Sequence, residues 1–231
     1  METVCESPVS ERGGAEEASE DSTATVRRTS SHRPDNADGT LSTDCPFCGV
    51  IGLLIVAIGD SITYGFPYSP AYSWVAKAAA KCNADILNQG ICGETTTEML
   101  ARFEQDVVYR RPGIVIIMGG TNDAFAGIGE AEVEQNIRLM AELAAQHSIR
   151  PIIGLPIPCC PPREENLLAA YRQRIAFFCE RSAITMIDFY TPMLDAAGRI
   201  SREMQIDGVH PNEAGYRVMA NAAITVLEAV I

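Results

Sequence analysis

Beyond residue 50, five short runs rich in β-branched and apolar residues alternate with five helical stretches. No other feature limits the fold of this chain so strongly. The first run, residues 51–58, is interrupted only by Gly52. The third, Ile114–Met118, is five apolar residues in a row, the pattern of a strand buried on both faces. Residues 84–88, 151–155 and 184–189 supply the other three. Between them, residues 71–81 are alanine-rich and read as helix. Thr95 and Glu98 have the spacing of a capping box before a helix reaching about Tyr109, and Arg111-Pro112-Gly113 is a break. Val133, Ile137, Met140 and Ala144 recur at helical spacing within residues 130–147. Residues 166–180 and 212–230 complete the helices. Alternation of this kind builds βαβ units and a parallel sheet covered on both faces. Right-handed crossovers leave few topologies, and the expected fold is α/β, a three-layer, five-stranded doubly wound sheet.

The rest of the composition narrows the setting. Residues 1–44 carry ten acidic and four basic side chains, half of the net charge of −12. They contain no Ile, Phe, Tyr or Trp, so they bury too little surface to offset the entropy of ordering. They read as a disordered acidic tail, and residues 49–231 as one domain. The acidity argues against nucleic-acid binding and against docking on anionic lipid. No apolar run reaches 18 residues, so no stable membrane insertion is expected. The Glu-rich start does not resemble a signal peptide, and the expected location is cytoplasmic. Cys45-Pro-Phe-Cys48 has a metal or redox spacing but precedes a strand, and Cys159-Cys160 is adjacent rather than spaced. No metal and no cofactor are therefore expected. Cys82, Cys92 and Cys179 lie on apolar segments and read as ordinary core or near-core residues.

Open parallel sheets bind ligands beyond the carboxyl ends of their strands, and the polar residues fall there. The first strand ends in Gly59-Asp60-Ser61-Ile62-Thr63 and the second in Asn88-Gln89-Gly90-Ile91-Cys92-Gly93. The third ends in Gly119-Gly120-Thr121-Asn122-Asp123, and the last loop carries Asp207-Gly208-Val209-His210-Pro211. A serine hydroxyl is a weak nucleophile until a base takes its proton, and imidazole suits that task. Of the three histidines, His32 lies in the tail and His147 closes a helix, where a cation suits the dipole. His210 is left facing the strand ends, with Asp207 three residues before it, near enough to reach the imidazole Nδ1–H. Ser61, His210 and Asp207 then have the roles of a Ser-His-Asp triad. Candidate donors to a developing oxyanion are the N–H groups of Ser61 and Gly93 and the side-chain amide of Asn122. Gly90 and Gly93 permit a turn whose backbone approaches the ligand. Tyr64, Phe66, Tyr68, Tyr72 and Phe125 are either packing residues or the wall of an acyl or alcohol pocket. Residues 156–162 read as a rim or a plain connection, and Asp123 and Asp188 as ligands of loop backbone.

These four segments resemble the blocks of the GDSL lipase/SGNH hydrolase family, with Ile62 where that family usually has Leu. The blocks run from Gly59 to Pro211 in the family's order. The resemblance implies a serine esterase with Ser61 as nucleophile, His210 as base, Asp207 as its orienting carboxylate, and an oxyanion hole of Ser61, Gly93 and Asn122. It also implies the flavodoxin-like strand order 2-1-3-4-5 and a small-molecule ester substrate. Short acyl or aryl esters are favoured here, because the domain leaves little room for a lid. A lysophospholipase or thioesterase-like enzyme is the alternative, followed by a family member that only binds its ligand. An α/β-hydrolase would need a Gly-x-Ser-x-Gly elbow, which is absent. A carrier domain modified at Asp60-Ser61 would leave Asn122, Asp207 and His210 without a role.

Overall fold

The computed structural model describes residues 53–231. The expected tail and the Cys45/Cys48 pair lie outside the described residues. In chain order the elements are β1 (Leu54–Gly59), α1 (Ser61–Tyr64), α2 (Trp74–Cys82), β2 (Asp85–Gly90), α3 (Thr96–Asp106), β3 (Ile114–Met118), α4 (Thr121–Ala126), α5 (Glu130–Gln146), β4 (Arg150–Gly154), α6 (Pro162–Ser182), β5 (Thr185–Ile187) and α7 (Glu213–Leu227). The five strands form one parallel sheet in the order β2-β1-β3-β4-β5, as the resemblance implied.

Strand alternation divides the core in two. Ile55 and Ala57 of β1 with Ile114, Ile116 and Met118 of β3 face a cluster completed by Trp74 and Val75 of α2 and by Tyr216, Met219 and Leu227 of α7. Val56 and Ile58 with Val115 and Ile117 face the other way, against Phe103 of α3, Ile137 and Met140 of α5, and Leu168 and Ile175 of α6. Burying each side chain of this size is worth about 1.5–3 kcal/mol, so strands buried on both faces anchor the domain. β2 is an edge strand, and the polar Asp85, Asn88 and Gln89 are tolerated on it because its residues are only partly buried or exposed.

Local chemistry sets the helix ends. Thr95 and Glu98 form the expected capping box of α3. The Ser73 hydroxyl accepts the Ala76 N–H at the start of α2, and Asn212 accepts the Ala214 and Gly215 N–H groups at the start of α7. α6 begins at Pro162, four residues earlier than the hydrophobic repeat indicates, because Pro is well suited to a first helical turn. α1 and α4 were not anticipated. At four and six residues they are too short to show a helical repeat. Each ends at a glycine in the left-handed region, Gly65 (φ 111°) and Gly127 (φ 72°).

The register positions the site. Gly59, the last residue of β1, pairs with Gly90 of β2 on one side and Met118 of β3 on the other. Three strands thus finish at one level, and the segments after them emerge side by side.

Candidate active site

Ser61 opens α1 directly after β1 and is buried. Asp60 caps this short helix, its Oδ1 accepting the Ile62 N–H at 2.9 Å. As first residue of the helix, Ser61 has no intrahelical acceptor for its own N–H. α1 lies close against the sheet end, and two glycines make room for it. A Cβ on Gly59 would overlap the Thr63 hydroxyl, and one on Gly90 would overlap the Tyr64 backbone nitrogen. At Gly90 it is α1 that needs the bare backbone. Asn88 fastens the same contact, its Nδ2 donating to the Thr63 carbonyl at 2.8 Å and its Oδ1 accepting the Gly90 N–H at 2.9 Å.

His210 arrives from the loop before α7. Its Nε2 is 3.0 Å from Ser61 Oγ, and its Nδ1 is 2.7 Å from Asp207 Oδ2. A carboxylate can only accept, so Nδ1 carries the proton and Nε2 is left to accept the serine O–H. Asp207 Oδ1 also accepts the N–H groups of Val209 (3.0 Å) and His210 (2.8 Å), which shapes the turn from within. Gly208, at φ 90°, donates to Gln205 Oε1 at 2.5 Å and accepts the Cys160 N–H at 2.6 Å. The imidazole packs against the Phe66 ring, with centroids 4.7 Å apart, and the Tyr216 hydroxyl donates to the Phe66 carbonyl at 2.7 Å.

Two carboxylates near the histidine are tuned in opposite directions. Burial pushes Asp60 up to about 6, against the pull of the Ile62 N–H and of the His210 charge. Its Oδ2 has no hydrogen-bond partner among the described residues. Burial also acts to raise Asp207, but the backbone and ring donors of His210 and the Val209 N–H outweigh it and hold Asp207 below the usual carboxylate range. Asp207 is therefore ionised beside the imidazole at neutral pH, as an orienting acceptor must be.

The other two segments flank Ser61. Gly93 has φ 84°, and a Cβ there would meet no described residue within 4 Å. Asn122, second residue of α4, donates one amide proton to the Glu94 carbonyl at 2.8 Å. An amide has two such protons, so one donor remains for a ligand. Asp123 ligates backbone as expected, accepting the Thr96 N–H (3.0 Å) and hydroxyl (2.6 Å). Asp188 does likewise with the Tyr190 and Thr191 N–H groups.

Of the aromatic candidates, Phe66 meets His210. Tyr68 packs against Tyr72 and Tyr216, and Phe125 is exposed on α4 three residues after Asn122. Tyr64 is half-buried at the end of α1, where its carbonyl faces Asn88. Pro156–Cys159 are buried, and Cys160, beside Gly208, borders a cavity of about 370 Å³ that also touches Asn166, Arg199 and Arg202. Cys179 is a buried free thiol, and Cys82 a partly buried one. Cys92 is partly buried and disulfide-bonded, a pairing that spacing does not reveal. Among the described residues no cluster of His, Cys, Asp and Glu could hold a metal, and no helix is long and apolar enough to cross a membrane. Arg102 of α3 escaped the sequence reading, although its guanidinium reaches the Gly59 and Gln89 carbonyls at the strand ends. No local pattern marks an arginine that bonds carbonyls so far away in the chain.

Known proteins resemble this chain in sequence and fold. The lipoprotein YqeF of Bacillus subtilis (strain 168) is 37% identical over 117 residues, which span 45% of this chain and 48%, about half, of that protein. Esterase TesA of Pseudomonas aeruginosa (strain PAO1) is 26% identical over 163 residues, 68% of this chain and 79% of its own. The structure of a G-D-S-L family protein from Desulfitobacterium hafniense DCB-2 superposes with a TM-score of 0.72 at 30% identity, over 76% of this chain and 99% of that one. The pattern that defines the GDSL-like lipase/acylhydrolase family matches residues 57–218, a span that contains all four segments described above. By that match this chain belongs to the GDSL-like lipase/acylhydrolase family of ester-cleaving enzymes.

Proposed function

We propose that this protein is a serine carboxylic-ester hydrolase in which Ser61, His210 and Asp207 act as the triad. The observation that carries the reading is the continuous run from Asp207 through His210 to Ser61, at 2.7 and 3.0 Å, ending at the carboxyl edge of the sheet. Ser61 Oγ attacks the ester carbonyl carbon while His210 Nε2 takes the hydroxyl proton. The carbonyl oxygen gains the negative charge and is met by the N–H groups of Ser61 and Gly93 and by the free amide proton of Asn122. Collapse expels the alcohol, which receives its proton from His210, and leaves Ser61 acylated. His210 then deprotonates a water that attacks the acyl carbon, the acid departs, and the proton returns to Ser61. Asp207 holds the ring in the required tautomer throughout.

The substrates are short-chain acyl (acetyl-type) or aryl esters. The reading is supported by the small size of the domain: among the described residues every strand lies in the one sheet and every helix of eight or more residues packs its core face against it, which leaves little room for a separate lid. The test is a p-nitrophenyl ester series of increasing acyl length, run beside a lysophospholipid and an acetylated sugar. Rates that fall steeply beyond about six carbons support the reading. A maximum at long chains points to a lipolytic or thioesterase-like site instead. No turnover, together with no labelling of Ser61 by a serine-reactive phosphonate, would leave a ligand-binding protein.

A further inference from the structure

Arg102 makes four hydrogen bonds near the strand ends, and the proposed mechanism gives it no part. Its side chain is 13% exposed. Nε donates to Glu94 Oε2 at 2.6 Å and Nη1 to Asp106 Oδ2 at 2.9 Å. Nη2 donates to the carbonyls of Gly59 at 3.1 Å and Gln89 at 2.9 Å. One guanidinium thus ties together the strand end two residues before Ser61, the end of β2, and the residue after Gly93. The chain continues onward, because the Glu94 carbonyl accepts the Asn122 amide at 2.8 Å.

The segment it holds, Ile91–Glu94, carries one oxyanion donor and the carbonyl that orients another. A Cβ on Gly93 would meet no described residue within 4 Å, and the turn is held by the Ile91 N–H donating to the Gly59 carbonyl at 3.0 Å, by a long 3.5 Å bond from the Glu94 N–H to the Ile91 carbonyl, and by the disulfide of Cys92. A donor to a developing charge helps only if it is already aimed when the charge forms, and displacements of about half an ångström matter. A small shift of the Glu94 end of this turn would move both the Gly93 N–H and the carbonyl that orients Asn122.

We infer that Arg102 is a positioning residue that sets two of the three oxyanion donors, Gly93 and Asn122, through Glu94. The inference rests on the oxyanion-hole reading above. Lysine cannot replace it, because one ammonium lacks the planar fork needed to reach two strand carbonyls and two carboxylates together.

The experiment is a double-mutant cycle on the full chain, with p-nitrophenyl acetate as substrate and thermal melts to confirm folding. Arg102→Gln is expected to lower kcat about 10–100-fold with KM within about threefold. Asn122→Ala alone is expected to cost about 10²–10³-fold, but less than about 10-fold in the Arg102→Gln background. Should Arg102→Gln fail to fold, Arg102→Lys and Glu94→Gln carry the same cycle with smaller losses of the same sense. Two results overturn the proposal alone: wild-type kcat in the folded Arg102 variants, or losses that multiply in full with that of Asn122→Ala. Wild-type kcat in Asn122→Ala overturns the oxyanion-hole reading first, and leaves Arg102 with nothing to position.

Discussion

The two halves of the site are built on different principles. One half lies at the strand ends, where Ser61, Gly93 and Asn122 follow three neighbouring strands and are held by bonds between residues far apart in sequence: Asn88 to Thr63, Arg102 to Gly59, Thr96 to Asp123. The other half is the Asp207–His210 loop. Its side chains are 46% and 21% exposed, and its inner bonds span two or three residues. The strand-end half is rigid because the whole sheet must move for it to move. The histidine half is a short turn that folds its own carboxylate onto its own imidazole and then leans on Phe66 and Cys160. Preorganised donors are placed on the stiff half, and the group that must exchange protons lies on the accessible one.

Substitutions that separate the halves test this contrast. The largest effect is expected for Ser61→Ala, where the halves meet: a loss of roughly 10⁶ in kcat with an unchanged melting temperature. A folded variant with near wild-type hydrolysis of p-nitrophenyl acetate would refute the assignment. Next comes Asp207→Asn, which leaves the turn but not the tautomer, with kcat down about 10⁴-fold. Serine labelling by a phosphonate should slow with it. On the rigid half, Gly90→Ala should act on stability instead, by about 3 kcal/mol or more, because its Cβ would overlap the Tyr64 backbone. An unfolding midpoint in urea matching wild type would show that α1 has slack.

The smallest effect concerns pH, and here the halves have opposite signs. Asp60 is raised from 3.8 to about 6, so between those values the folded protein binds a proton that the unfolded chain does not. Its contribution is fully present below pH 4 and is lost as pH rises through 6, a change of about 3 kcal/mol. Asp207 is lowered from 3.8, so its contribution is present above pH 4 and disappears on further acidification. Melting temperature followed against pH should therefore lose its decline between pH 4 and 6 in Asp60→Asn, and lose part of its acid-side fall in Asp207→Asn. Identical profiles in wild type and Asp60→Asn would show that Asp60 is not held protonated in that window.

The same contrast explains how much was readable beforehand. β3 appears at its expected bounds, and the Thr95–Glu98 capping box forms as its spacing indicates, because both depend on neighbours along the chain. α1 and α4 carry Ser61 and Asn122 yet left no periodic trace, since neither completes two helical turns. A glycine at position 90 signals that something comes close without saying what, and the structure puts α1 there. Arg102 was invisible because its partners include a carbonyl 43 positions away.

What the sequence determined by itself is therefore local: the alternation that makes a doubly wound sheet, the helix caps, and an aspartate three residues before a histidine. These follow from side-chain periodicity and from hydrogen bonds that close over a few residues at little entropic cost. The tertiary structure decided that Ser61 Oγ meets His210 Nε2 across 149 positions, and that Arg102, Glu94 and Asn122 form one bonded chain. Such long loops close only when the burial of a whole sheet offsets the entropy of closing them, so no short stretch of sequence could have specified those contacts alone.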